Sequence, residues 1–151
     1  VCADELFADL FWRGGKICCV SQSRLAFFDD SAKLADEYSF GDLYLYDYAA
    51  EGDGFVTLAL SRYRSGSTMK LVTVSSDGTE MASLDSSQEV LSMSAAGKYI
   101  AVLYSDSLVL YTPQLQEYAR LDATEYARSV IMREDGTAVL IGSSSAWLYI
   151  P

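Results

Sequence analysis

A repeat near 40 residues constrains this chain more than any other feature. Four stretches superimpose: Gly15-Lys16-Ile17-Cys18-Cys19-Val20, Gly54-Phe55-Val56-Thr57-Leu58-Ala59, Gly97-Lys98-Tyr99-Ile100-Ala101-Val102 and Gly136-Thr137-Ala138-Val139-Leu140-Ile141. Each is a glycine followed by an apolar, β-favouring run, and the glycines stand 39, 43 and 39 residues apart. A second apolar run follows each after a polar break, at Leu25–Phe28, Leu71–Val74, Leu108–Tyr111 and Trp147–Ile150. The longer interval between the first two of these comes from the extended linker 61–67. A third family, Lys33-Leu34-Ala35, Glu80-Met81-Ala82 and Glu117-Tyr118-Ala119, comes after them; the fourth repeat reaches Pro151 without it. A fourth family precedes the glycines: 6–12, Leu43–Tyr46, Val90–Met93 and Ser129–Met132. A period of this length signals stacked supersecondary units, none of which buries its apolar face alone.

Each unit therefore predicts four short strands joined by turns of the Gly-Gly and Asp-Gly kind, which supply the positive φ of tight hairpins. Residues 31–38 have helical propensity, but their place in the repeat argues for a strand. The middle runs, such as Ile100-Ala101-Val102-Leu103-Tyr104, are almost continuously apolar. A strand covered on both faces needs that pattern, whereas a half-exposed sheet would alternate. Four-stranded units packed face to face around an axis make an all-β fold, a β-propeller of four-stranded antiparallel blades. The repeats fall at about 3–40, 41–85, 88–122 and 127–151, giving about four blades with the last incomplete; part of a larger ring is the expectation, a small four-bladed ring with an open seam the alternative. A β-sandwich or a single up-and-down barrel would use similar strands but would not explain the period. An arc of blades leaves the apolar faces of its end sheets exposed, so the chain is expected to associate with a protein partner or a second copy or to continue into further blades.

Composition narrows function mainly by exclusion. Half the residues are hydrophobic and 21% are charged, enough for a core. Eleven Lys and Arg face 21 Asp and Glu, a net charge of −10, which disfavours nucleic acid as a partner. With no His in the chain, Ser-His-Asp and Cys-His catalysis and every His-containing metal site are absent. No apolar run is long enough to span a membrane. The three cysteines, Cys2, Cys18 and Cys19, are an odd number. Cys18 and Cys19, being adjacent on a strand, should face opposite sides of a sheet, which argues against a shared metal site; a bridge from Cys2 to one of them stays open. Val1 is not an initiator residue, as in an excerpt or processed product.

Several local patterns imitate catalytic or metal motifs and read better as turns. Asp29-Asp30 and Asp36-Glu37 are paired carboxylates at a predicted hairpin, where Asp is favoured for local hydrogen bonds. Glu51-Gly52-Asp53-Gly54 resembles part of a calcium loop, but the alternate positions counted from Asp47 run through Ala49 and Phe55. Gly14-Gly15-Lys16 lacks the spacing, the following Ser or Thr and the helix of a phosphate loop. No nucleophile elbow or lysine-activated serine occurs. No catalytic residue, metal site or cofactor is expected. Two groups remain as binding candidates. Tyr44, Tyr46 and Tyr48 alternate along a predicted innermost strand and so would share a face, with Tyr44 and Tyr46 the candidates for an aromatic wall. Arg62, Tyr63 and Arg64 occupy the overlong loop, and Arg and Tyr are enriched at interface hot spots.

The order strand, Gly turn, strand, Asp-rich turn, strand resembles WD40-like and quinoprotein-like propeller repeats, most closely at Ser75-Ser76-Asp77-Gly78-Thr79. The Trp-Asp and Gly-His pairs of true WD40 blades and the tryptophan-docking motif of quinoprotein blades are missing. More loosely, the chain resembles uncharacterised bacterial propeller proteins that present the propeller outside the membrane on an N-terminal anchor. The lack of catalytic machinery points to a non-catalytic domain that binds a protein or small ligand, and the resemblance implies extracytoplasmic placement. An enzyme, a hydrolase or lyase with its active residues in the channel or in further blades, and a sensor domain of a membrane protein are the competing expectations.

Overall fold

Continuous apolar runs punctuated by positive-φ turns fold as antiparallel strands. A computed structural model describes residues 5–63 and 68–151; the expectations about Cys2 and Arg64 fall outside them. The first sheet comprises β1 (Phe7–Arg13), β2 (Lys16–Ser21), β3 (Arg24–Phe28) and β4 (Leu34–Ser39). The second comprises β5 (Tyr44–Ala49), β6 (Phe55–Ser61), β7 (Met69–Ser75) and β8 (Glu80–Ser86). The third comprises β9 (Ser92–Ala96), β10 (Tyr99–Leu103), β11 (Ser107–Tyr111) and β12 (Glu117–Asp122). The fourth has three strands, β13 (Ala127–Met132), β14 (Ala138–Gly142) and β15 (Ala146–Tyr149). Every sheet is a meander in sequence order. Residues 34–39 form β4, as the repeat requires and propensity alone does not.

Burial follows the position of a strand in its sheet. All seven residues of β6 and all five of β11 are buried, while β4, β8 and β12 alternate between half-buried and exposed. Three core clusters hold neighbouring sheets together. Cys18, Val20, Leu25 and Phe27 of the first sheet meet Val56, Leu58, Val72 and Val74 of the second. Phe55, Ala59 and Leu71 of the second meet Ile100, Val102 and Val109 of the third. Ala101, Leu103, Leu108 and Leu110 of the third meet Val130, Met132, Ala138 and Leu140 of the fourth. Among the described residues no core cluster joins the fourth sheet to the first. Cys18 lies in the first cluster, while Cys19 pairs with Ala26 on the opposite face, as strand alternation dictates.

One turn geometry recurs. In Asp29–Lys33, Ser75–Thr79, Thr112–Gln116 and Arg133–Thr137 the first amide donates to the fifth carbonyl, and the fourth amide donates back to the first carbonyl. The fourth residue takes positive φ: Ala32 at 57°, Gly78 at 81°, Leu115 at 57° and Gly136 at 87°. Asp29 Oδ1 accepts from the Ser31 and Lys33 amides, and Asp77 and Asp135 do the same for Thr79 and Thr137. The Asp29 carboxylate thus closes a turn. Ala32 is exposed, and left-handed backbone costs an L-residue roughly 1–2 kcal/mol. Ala32→Gly should therefore stabilise the protein by up to about 1 kcal/mol after the extra unfolded-state entropy of glycine. A rise in the thermal midpoint checks this, and an unchanged or lower midpoint contradicts it.

Candidate functional site

The innermost strands β5, β9 and β13 lie side by side, and irregularities in such strands decide where their side chains point. In β5 the register runs Tyr44 to Ser61 and Leu45 to Leu60, then skips to Asp47 opposite Ala59. Tyr46 is the extra residue of a β-bulge, and a bulge reverses the alternation beyond it. Tyr44, Tyr46 and Tyr48 consequently do not share one face, contrary to the simple alternation expected from sequence. Tyr48 joins Leu45 in the core between the first two sheets, and its hydroxyl donates to Asp9 Oδ2 on β1 at 2.8 Å. Bulges at the same place insert Ala8 into β1 and Arg128 into β13.

Tyr44 and Tyr46 instead line a cleft of about 470 Å³ with Gln22, Leu45, Ser61 and Tyr63. The cleft opens where the β2–β3 and β6–β7 loops meet the start of β5, so it spans the first two sheets. Its tyrosines are accessible, at 45%, 38% and 56% exposure for Tyr44, Tyr46 and Tyr63. Two are fixed by their polar tips or backbone. Tyr46 Oη donates to Glu89 Oε1 in the β8–β9 linker at 2.6 Å. Ser61 Oγ donates to the Tyr63 carbonyl and accepts from its amide, folding the loop back on the strand. Arg62 does not enter this cleft: it borders a separate one with Asp42, Thr68, Lys70 and Asp85. Arg62 and Tyr63 are thus divided between two cavities, which the sequence does not signal because neighbouring residues in a turn diverge. Gln22, an additional wall residue, carried no signal beyond lying in the equivalent first-repeat loop.

A third cavity, of about 350 Å³, lies along the inner strands and is lined by Asp9, Asp47, Tyr48, Glu51, Met93 and Ser94 among others. Burial raises the Asp47 carboxyl above its ordinary value, partly offset by the Tyr48 amide that it accepts. Hydrogen bonds across sheets add to the cores: Tyr38 Oη donates to Glu80 Oε1 at 2.6 Å, and Ser92 and Ser94 Oγ accept from the Val130 and Met132 amides. Among the described residues, no group of three or more Cys, Asp or Glu is arranged to hold a metal ion.

The phenols set an alkaline limit. The Glu89 bond pushes Tyr46 up to about 12, and burial with the Asp9 bond does the same for Tyr48. An unfolded tyrosine ionises near 10, so both groups add stability that is fully present below about pH 10 and is lost as pH rises through 12. The denaturant midpoint should fall across that window, and Tyr48→Phe should flatten the fall; a midpoint independent of pH there would contradict the coupling.

Four sheets, each a four- or three-stranded antiparallel meander packed face to face with the next, have close counterparts among solved structures. BBS1N in complex with ARL6DN superposes with a TM-score of 0.68 at 12% identity, over 99% of this chain and 53% of that one. The fold is a β-propeller. Hsv2 of Kluyveromyces lactis gives a TM-score of 0.65 at 13% identity over 99% of this chain. The Pan2 WD40 domain of Neurospora crassa gives 0.60 at 10% over 95%. The propeller chain spans about half the length of these structures, 53%, 50% and 46% respectively. The likeness is one of fold, and the four sheets are blades. No protein-family model and no curated protein matches the propeller by sequence. No helix among the described residues is long and apolar enough to cross a membrane.

Proposed function

We propose that this propeller is a non-catalytic binding scaffold whose ligand, an extended protein segment, lies in the cleft of Tyr44, Tyr46 and Tyr63. The observation that carries the reading is the convergence of three exposed tyrosines, from β5 and the β6–β7 loop, beside the polar groups of Gln22 and Ser61. Tyrosine offers a large, stiff contact surface with a polar tip, and so binds at low entropic cost. The fold supports the reading further, since insertions in repeat architectures collect in loops on one face, often the binding face, and Tyr63 lies in such a loop. Selection of a displayed random-peptide library against the protein tests it. Tyr46→Ala and Tyr63→Ala should each weaken the selected peptides at least tenfold. Peptides that bind both variants as well as the unaltered protein would remove the cleft from the proposal.

A second reading, the enzyme, draws on Asp47 in the inner cavity, whose raised pKa suits a general acid. Screening p-nitrophenyl esters and glycosides separates the two. Turnover abolished by Asp47→Asn favours the enzyme, and none in the unaltered protein favours the scaffold. Extracytoplasmic placement rests on the resemblance of the repeats alone and is tested by fractionating cells that express the protein.

A further inference from the structure

Two tyrosines between the second and third sheets, blades 2 and 3, are buried yet border a cavity with their polar ends. Tyr104 follows β10 and Tyr111 ends β11; both belong to the core cluster that joins these blades, at 2% and 6% exposure. Their hydroxyl oxygens lie 3.2 Å apart and bond only each other among the described residues. Two phenols carry two protons, and a single bond between them uses one. The second proton has no acceptor among the described residues, although buried hydroxyls are nearly always satisfied. Burial, and then the bond to Tyr104, hold the Tyr111 phenol well above the usual range, so it keeps its proton. The cavity that both side chains border, of about 330 Å³, is where an outside acceptor can reach the pair.

The remaining wall is also polar. Ser86, Ser87 and Gln88 close it from the end of β8 and the β8–β9 linker. The Gln88 amide donates to Ser86 Oγ at 3.1 Å, and Glu89 accepts from Tyr46, so this linker is held in place without a ligand. Arg120 pairs across strands with Val109, which packs toward blade 2, so its guanidinium stands on the cavity side. An anion does not suit this wall. Glu117 already accepts from Arg120 Nε at 3.2 Å and from Nη2 at 3.0 Å, and Asp85 at the border makes the ionised groups sum to a negative charge. A neutral ligand that both accepts and donates does suit it. Such a ligand accepts from the spare phenol proton and from Arg120 Nη1, and donates to the serine and amide oxygens. Hydroxyls set around one ring offer both functions in several directions. The volume lies at the low end of the roughly 300–1,000 Å³ usual for ligand cavities, which limits the occupant to about one ring. We infer that this cavity between blades 2 and 3 binds a single neutral pyranose unit, oriented by the hydroxyls of Tyr104 and Tyr111, by Gln88 and by Arg120. The site is separate from the tyrosine cleft between blades 1 and 2.

Saturation-transfer NMR on the 151-residue chain tests the inference. The probes are the methyl glycosides of glucose, galactose and mannose, with N-acetylglucosamine, and inorganic phosphate and acetate as competitors. At least one glycoside should bind with a Kd on the order of 1 mM, as expected for so small a ligand, and neither anion should displace it. Tyr111→Phe keeps the buried ring and removes one hydroxyl, and Gln88→Ala alters an exposed side chain. Each should weaken that glycoside about fivefold, the worth of one hydrogen bond, with circular dichroism confirming the fold. Tyr63→Ala, in the tyrosine cleft, should leave it unchanged. No transfer to any of the four sugars, displacement by phosphate or acetate, or undiminished binding in both Tyr111→Phe and Gln88→Ala would each overturn the site. Peptide selection reports on Tyr46 and Tyr63 instead, so the two proposals fail separately.

Discussion

Gly52→Ala should destabilise the protein by about 2–3 kcal/mol, although Gly52 has ordinary backbone angles. A β-carbon built there falls 2.3–2.7 Å from three ring carbons of Phe55. That ring is 1% exposed and fills the core between blades 2 and 3, so it cannot swing aside without opening a void. Overpacking of this kind typically costs roughly 1–3 kcal/mol, with the displaced ring adding to it. Gly52 also bridges to Gly97, and Asp53 donates its amide to the Gly97 carbonyl at 2.8 Å, locking the β5–β6 turn against the next blade. A double-mutant cycle isolates the contact. Phe55→Leu removes the colliding atoms, so Gly52→Ala should cost about 1 kcal/mol or less in that background. Equal costs in both backgrounds, by urea denaturation, would show that the ring is not the cause.

Phe27→Ala should be larger still, at roughly 3–5 kcal/mol. Phe27 is fully buried on β3, in the cluster that holds blade 1 to blade 2. Among the described residues blade 1 shares a core cluster with blade 2 alone, so its loss need not carry the other blades with it. Amide exchange in β1–β4 should accelerate by about two to three orders of magnitude while β9–β12 keep most of their protection. Uniform acceleration across all four blades would mean that the arc unfolds as one unit, contrary to nearest-neighbour stabilisation.

The blade pattern was legible because glycine marks it. Gly15, Gly54 and Gly136 carry positive φ in equivalent hairpins, a requirement that other residues meet only at a cost. Where a turn dispenses with glycine, legibility drops. The hairpin Asp29–Lys33 uses Ala32 in the left-handed region, and the sequence alignment of the outermost strands there slips by one residue. The bulged residues are Ala35, Met81 and Tyr118, whereas repetition alone placed Leu34 opposite Met81. The inner-strand bulge at Tyr46 was equally silent, because no residue type is reserved for it. That single insertion separates Tyr48 from its neighbours and leaves Tyr44 and Tyr46 to share the cleft with Tyr63 from another loop. Among the candidate residues, Tyr44 and Tyr46 were singled out by an alternation that the bulge breaks, and Tyr63 by the overlong loop and the enrichment of Arg and Tyr at interfaces. Their grouping depended on backbone geometry that composition does not encode.

The recurring five-residue hairpin bears on how such a chain diverges. Asp29–Lys33, Ser75–Thr79, Thr112–Gln116 and Arg133–Thr137 share two main-chain hydrogen bonds and one left-handed residue; two of them keep Asp-Gly-Thr, yet no side chain is common to all four. When the blueprint of a corner is written in amides and carbonyls, mutation can rewrite the visible letters many times before the corner fails. Duplicated units would then drift apart in composition faster than in shape, so kinship among such proteins outlasts its trace in the sequence.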